Sequence, residues 1–191
     1  MMKICLIRHG ETAWNANGII QGLTDTDLND IGRNQAEACA NFLSKQNWDL
    51  ILTSPLRRAK NTASILANKM GQNVKVMEEF VEKHYGDAVG SPLINQTSYA
   101  EAGEQSILFK KRVLAGFRQL KENYFNKKII LVTHGDVIQV ILTSLFDSNE
   151  FNQTVKNASI SELELTGNKW VMNSFNNNGY SISFTNKKSV Q

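Results

Sequence analysis

Twice in this chain a run of four apolar residues ends on a histidine and a glycine. Ile4-Cys5-Leu6-Ile7 leads into Arg8-His9-Gly10, and Ile129-Ile130-Leu131-Val132 leads through Thr133 into His134-Gly135. Short, uninterrupted apolar runs suit strands buried on both faces, as in a parallel sheet covered by helices. Side chains at the carboxyl ends of such strands reach the crevice where α/β folds place ligands. Arginine brings a planar donor fork that matches phosphate. Histidine can be a neutral nucleophile near pH 7. Phosphate chemistry is the first expectation.

The rest of the chain alternates between strand and helix signals. After a polar, turn-rich stretch from Gly18 to Gly32, apolar spacing predicts a helix from about Arg33 to Lys45, with Ala36, Ala40 and Leu43 inward. Asp49 to Thr53 reads as a second buried strand, and Ser54-Pro55 as the opening of a helix with Ala59, Ala63, Leu66 and Met70 inward. A short strand is expected over Val74 to Met77. Residues 84–106, rich in Gly, Ser, Asn and Gln, read as a small cap of loop or short helix over the site. A helix follows over Ser106 to Asn123, burying Phe109, Val113, Phe117 and Leu120. Then come a strand over Lys128 to Thr133 and an apolar helix ending near Phe146. Ile160–Leu165 and Lys169–Ser174 form a hairpin turning at Gly167-Asn168, and the polar tail from Asn176 is expected to fray. The pattern predicts one domain over residues 1–191, a three-layer α/β/α sandwich with a mainly parallel central sheet.

A chain of 191 residues, 41% hydrophobic and 20% charged, is long enough for a substantial core. Its net charge of +3 is small and its cations are scattered, which argues against nucleic acid as a partner. No apolar stretch is long enough to span a membrane, and the start is too short for a signal peptide. Cys5 and Cys39 fall on apolar faces and read as core thiols, so the expected compartment is the cytoplasm.

Arg8-His9-Gly10-Glu11-Thr12 with Asn15 resembles the signature of the histidine phosphatase superfamily, which includes the phosphoglycerate mutases. Three further segments resemble that family in the right order. They are Thr53-Ser54-Pro55-Leu56-Arg57-Arg58-Ala59, Glu82-Lys83-His84-Tyr85-Gly86 and Val132-Thr133-His134-Gly135. Gly103-Glu104 and Asn157-Ala158-Ser159-Ile160 match weaker patterns, so the resemblance spans about residues 3 to 175. It implies a phosphoglycerate mutase-like fold, with His9 as nucleophile, Arg8, Arg58 and His134 around the phosphate, and Glu82 as proton donor. Arg58 is selected over Arg57 because the family's arginine directly precedes alanine. Asn15, Gln21, Gly22, Lys83 and Tyr85 are candidate phosphate or substrate contacts. His84 is expected to be structural, Arg57 a surface residue and Trp14 a core residue.

The chemistry agrees with those assignments. The oxygens of a phosphomonoester stay charged through a loose transition state and need fixed cationic or donating groups around them. Two arginines beside His9 disfavour its protonation, and a carboxylic acid of raised pKa can protonate the departing alkoxide. No metal is called for, and the sequence offers no cluster of metal ligands.

The implied activity is a metal-independent phosphomonoesterase for a small phosphorylated metabolite, without cofactor. A 2,3-bisphosphoglycerate-dependent phosphoglycerate mutase is the alternative, with that bisphosphate as its cofactor. A weakly active phospho-ligand or phosphoprotein-binding module is a third possibility. The absence of Lys and Arg from residues 84–106, the short stretch from Glu82 to His134, and Gln21 where mutases carry threonine all point to the phosphatase. Lys83-His84-Tyr85-Gly86 looks more like the mutase version. Ile19 and Gln105 depart from the family's usual arginine and serine, a difference that bears on substrate preference.

Overall fold

The first apolar run forms β1 (Met2–Arg8), and its neighbours explain why it carries no polar face. The computed structural model describes residues 1–93 and 103–178, with the backbone of 188–189. Its strands are β1, β2 (Leu50–Thr53), β3 (Val74–Val76), β4 (Lys128–Thr133), β5 (Ile160–Thr166), β6 (Lys169–Asn177) and β7 (Lys188–Ser189). They lie in one sheet in the order β3-β2-β4-β1-β5-β6-β7. The first four of that order are parallel; β5, β6 and β7 continue the sheet antiparallel. β1 therefore sits at the junction, paired to β4 on one side and β5 on the other.

Five helices complete the described fold: α1 (Ala13–Ala16), α2 (Asp30–Leu43), α3 (Arg57–Met70), α4 (Ser106–Asn123) and α5 (Gly135–Phe146). Each face of the sheet carries its own core. Ile4 and Leu6 of β1 join Ile129 and Leu131 of β4 beneath Phe109, Val113, Phe117 and Leu120 of α4 and Ile138, Ile141 and Leu142 of α5. Cys5 and Ile7 turn the other way with Ile130 and Val132, against Cys39, Ala40 and Leu43 of α2 and Ala59, Ala63 and Leu66 of α3. Successive strand residues thus feed opposite cores, the arrangement that demands unbroken apolar runs. Both cysteines are buried thiols outside any disulfide. None of the described helices is long and apolar enough to cross a membrane.

Several boundaries differ from the sequence expectation for physical reasons. α2 begins at Asp30, three residues early, because Asn29 caps it by accepting the Gly32 amide at 2.7 Å. α3 begins at Arg57 rather than at Pro55, with Leu56 as its N-cap. Ala67 shares its buried stripe and Met70 is only half-buried. Trp14 is half-buried and belongs to neither hydrophobic cluster, because α1 is a single turn with no buried residue. The hairpin forms as expected, with β6 running on to Asn177. The expected frayed tail falls mainly on 179–187, 190 and 191, and much of the expected cap on 94–102, all outside the described residues.

The turn after β1 is pressed against the start of α2. A Cβ on Gly10 would stand 2.4 Å from the Gly32 carbonyl oxygen, and one on Gly32 would stand 2.0 Å from that of Glu11. Gly32→Ala should therefore destabilise the protein, although alanine gains about 1 kcal/mol over glycine in helix propensity. The backbone clash outweighs that gain and should cost about 1–3 kcal/mol net. Urea unfolding checks this; a variant as stable as the parent would show that the two turns separate freely.

Candidate active site

β1 and β4 pair in register, Arg8 opposite Thr133, so His9 and His134 emerge side by side at the carboxyl edge of the sheet. The His9 amide donates to the Thr133 carbonyl at 2.9 Å, and the two imidazole rings meet edge-on with centroids 5.2 Å apart. β2 ends beside them, and its next residue, Ser54, places its hydroxyl 2.7 Å from His134 Nε2. Three parallel strands thus converge on one end of a cleft of about 700 Å³.

His9 is 2% exposed and its two ring nitrogens have different partners. Nδ1 lies 2.7 Å from the Gly10 carbonyl, a contact that requires a proton on Nδ1. Nε2 receives a hydrogen bond from Arg58 Nε–H at 3.2 Å, which requires a lone pair there. Together they select the neutral tautomer with a free pair on Nε2. Burial pushes the His9 pKa well below 6.5, and the charges of Arg58 and then Arg8 push it further down. The turn carrying His9 is braced on three sides. Thr62 of α3 accepts the Gly10 amide, the Ala158 amide donates to the Arg8 and His9 carbonyls, and Asn157 donates to the His9 carbonyl.

Arg58 is 1% exposed in the first turn of α3. Its terminal nitrogens reach the carbonyls of Thr24 at 2.7 Å and Gly22 at 2.8 Å. Gly22 adopts φ +52°, a left-handed turn that favours glycine. Arg8 donates through one terminal nitrogen to the Val155 carbonyl, whereas its buried Nε has no protein partner. Such an orphan donor inside a cleft fits an anionic ligand. His134 is fully buried behind the cleft wall. Burial, followed by the Arg58 charge, holds its pKa well below 6.5, so the neutral ring is favoured over the imidazolium. Its Nδ1 is likewise buried and unpartnered.

Glu82 faces these cations across the cleft. Burial raises its pKa to about 8, aided by the negative charge of Asp136. Lys83 is 6% exposed, its Nζ 3.4 Å from Ser106 Oγ and 5.4 Å from the centre of the Tyr85 ring. Asn15, Gln21, Gly22, Lys83 and Tyr85 all line the cleft with Arg8, His9, Arg58 and Glu82. Gln21 Oε1 is held by the hydroxyls of Thr12 and Thr26, and Asn15 Oδ1 by Asn157. His84 is exposed and closes a local turn by accepting the Gly86 amide; Arg57 is exposed beside Asp25. Among the described residues no cluster of three His, Cys, Asp or Glu side chains is placed to hold a metal ion.

Sequence reasoning did not single out two features. The Tyr85 hydroxyl donates to Asp136, in the first turn of α5, bridging the Glu82 segment to the residue two places after His134. Arg112 of α4 donates to the carbonyls of Glu79, Val81 and Glu82 at 2.9, 2.8 and 3.3 Å and pairs with Glu104 at 2.8 Å. The Glu104 amide in turn donates to the His84 carbonyl at 2.7 Å. These groups fasten both ends of the Glu82 segment. Asp136 follows a recognised His-Gly pair and was within reach of the sequence; Arg112 sits in an ordinary amphipathic helix and carries no local signal.

The buried titratable groups give opposite slopes of stability with pH. Below about 6.5 the unfolded chain protonates both histidines and the native site does not. Stability therefore falls as pH drops, by at most about 1.4 kcal/mol per pH unit for each histidine. Glu82 binds its proton more tightly when folded, so its contribution falls as pH rises from its ordinary range toward 8. The three groups together predict a stability maximum near pH 6.5. Unfolding free energies at pH 8, 6.5 and 5.5 check it. Glu82→Gln should remove the decline on the alkaline side, and an unchanged decline would show that another group titrates there.

Residues 4–178 match the model of the histidine phosphatase superfamily (branch 1). The chain is 35% identical over 191 residues to the uncharacterized phosphatase PhoE of Bacillus subtilis, covering 96% of this chain and 99% of that one. It is 30% identical to a metal-independent phosphoserine phosphatase of Arabidopsis thaliana, covering 91% and 80%. Among solved structures, a phosphoserine phosphatase from Entamoeba histolytica in complex with phosphoserine superposes with a TM-score of 0.84 at 28% identity. That match covers 95% of this chain and all of that one.

Proposed function

The chain belongs to the histidine phosphatase superfamily, and we propose that it hydrolyses small phosphomonoesters through a phosphohistidine on His9 Nε2. It is a phosphoric monoester hydrolase, and the comparisons favour this over the mutase alternative. The observation that carries the mechanism is the Arg58 Nε–H donating to His9 Nε2, because only an unprotonated nitrogen can accept it.

In the first step Arg58 passes its Nε–H hydrogen bond from His9 Nε2 to a phosphoryl oxygen, the freed Nε2 lone pair attacks phosphorus, and the bond to the ester oxygen breaks. Arg8 and Arg58 hold the phosphoryl oxygens, a role the orphan Arg8 Nε supports; His134, whose Nδ1 is also unpartnered, backs the site from behind the cleft wall beside His9. Glu82 gives its proton to the departing alkoxide, and its raised pKa keeps it protonated at neutral pH. In the second step Glu82, now ionised, takes a proton from water as the water oxygen attacks phosphorus. The N–P bond breaks, inorganic phosphate leaves and His9 returns to its neutral form, its Nδ1 proton never having moved. The arginines meet the charge that a metal ion would otherwise neutralise, so the mechanism runs without metal or cofactor. Asn15, Gln21 and Gly22 border the phosphate, with Lys83 and Tyr85 nearer the alcohol. Two buried thiols that form no disulfide suit a reducing compartment, and we place the enzyme in the cytoplasm.

Phosphate release from phosphoserine, glycerol phosphates and sugar phosphates, with chelator present, tests the activity. 3-Phosphoglycerate isomerisation with and without 2,3-bisphosphoglycerate runs beside it. Release without isomerisation is expected; bisphosphoglycerate-dependent isomerisation would make it a mutase. His9→Ala should leave folding intact and abolish turnover, a loss above about 10⁴-fold. Glu82→Gln should slow alkyl phosphates by about 10²–10⁴-fold and p-nitrophenyl phosphate far less, its leaving group needing no proton. Equal losses on both substrates would remove Glu82 from the acid role.

A further inference from the structure

The end of the cleft that receives the alcohol holds a carboxylate the mechanism does not use. Asp136 lines the cleft and accepts a hydrogen bond from Tyr85, three residues beyond Glu82. It sits in the first turn of α5, where a carboxylate complements the helix dipole. Glu82 enters the reaction protonated, so Asp136 is the standing negative charge beside the ester oxygen. It is also the charge that, after burial, does most to hold the Glu82 proton in place.

Few cations oppose it. Arg8 and Arg58 are committed to the phosphoryl group. Lys83 Nζ is packed over the Tyr85 ring and near Ser106 Oγ. Residues 84–106 contain no Lys or Arg, so that whole segment brings no positive charge wherever its chain runs. Lys156 stands exposed at the rim, where water and salt screen it.

Resting on the phosphatase reading above, we propose that Asp136 is a specificity-determining residue that sets the charge of the alcohol. Its carboxylate sets a negative charge against the alcohol, while Lys83 at the same end is held over the Tyr85 ring. The site therefore favours phosphomonoesters of alcohols that are uncharged, zwitterionic or ammonium-bearing. It discriminates against alcohols carrying an uncompensated carboxylate or a second phosphate. The same charge opposes mutase chemistry, in which a substrate must keep a second anionic group in the cleft.

Phosphoserine and 3-phosphoglycerate form a matched pair for the test, differing at one carbon by an ammonium group against a hydroxyl. Glycerol 3-phosphate serves as the uncharged reference and p-nitrophenyl phosphate as a check of turnover. The readout is the ratio of kcat/KM values for the pair, in which a change of acid strength at Glu82 largely cancels because both leaving groups are primary alcohols. Parent enzyme should prefer phosphoserine. Asp136→Asn, which keeps an oxygen acceptor for Tyr85, should lower the phosphoserine to 3-phosphoglycerate ratio by about tenfold. It should also raise 3-phosphoglycerate relative to glycerol 3-phosphate. Asp136→Ser removes the charge with a smaller side chain and should give the same shift, so the test survives if the amide variant misfolds. Asp136→Glu keeps the charge and should keep the parent ratio. Unchanged ratios in both neutral variants, with turnover intact, would overturn the role of Asp136 and leave the phosphatase standing. Failure of the parent to hydrolyse any of the four would overturn the phosphatase reading and this proposal with it.

Discussion

Much in this molecule depends on one hydrogen bond, from a buried guanidinium to a buried imidazole nitrogen. Arg58 can donate to His9 only while Nε2 is unprotonated, and the Gly10 carbonyl holds the ring proton on Nδ1. A cation at that distance would repel an imidazolium, so the contact orients the ring and suppresses its protonation together. Burying Arg58 is costly, and the Gly22 and Thr24 carbonyls offset part of the cost by accepting one N–H from each terminal nitrogen, which leaves the second N–H on each for a ligand. The left-handed turn at Gly22, the position of α3 and the close approach of Gly10 to Gly32 all serve to hold this pair together.

The opposite wall is organised differently. Glu82 sits on a segment with little regular structure, and α4 fastens it from behind through Arg112, which binds three successive stretches of its backbone. Thr133, just before His134, donates to the Phe80 carbonyl and links that segment to β4. The nucleophile is thus set by strand register and the acid by a side-chain clamp. The cleft thus sets its arginines against a carboxylic acid that burial keeps protonated.

What could be read from the amino acids follows from how local each signal is. The apolar runs of β1 and β4 declare double burial, and histidines at their ends declare a crevice, so the sheet and its paired histidines were legible. α4 was legible to its end residues because Phe109, Val113, Phe117 and Leu120 repeat at helical spacing. The start of α2 was not, because Gly32 resembles a turn residue; its lack of a side chain serves a contact with Glu11, which only the fold brings near. Trp14 looked like core because tryptophan usually is, yet a one-turn helix has no face to bury. Arg112 binds carbonyls far from it in sequence and leaves no mark in the local pattern; Ser54 and Asn157 lie in segments that resemble the family, yet their contacts with His134 and His9 form only in the fold.

The place of β1 has a consequence for how the protein is made. β1 lies between β4 and β5, which begin at Lys128 and Ile160. An emerging chain therefore carries an apolar ribbon with neither neighbour until β4 and β5 follow it. Pairings this distant in sequence form slowly, and an unpaired apolar edge invites association with other chains. Arg8, His9, Arg58 and Glu82 are all translated before β4, but the floor on which His9 and His134 meet is absent until it docks. The residues of the chemistry thus wait on a strand that lies far from them in sequence.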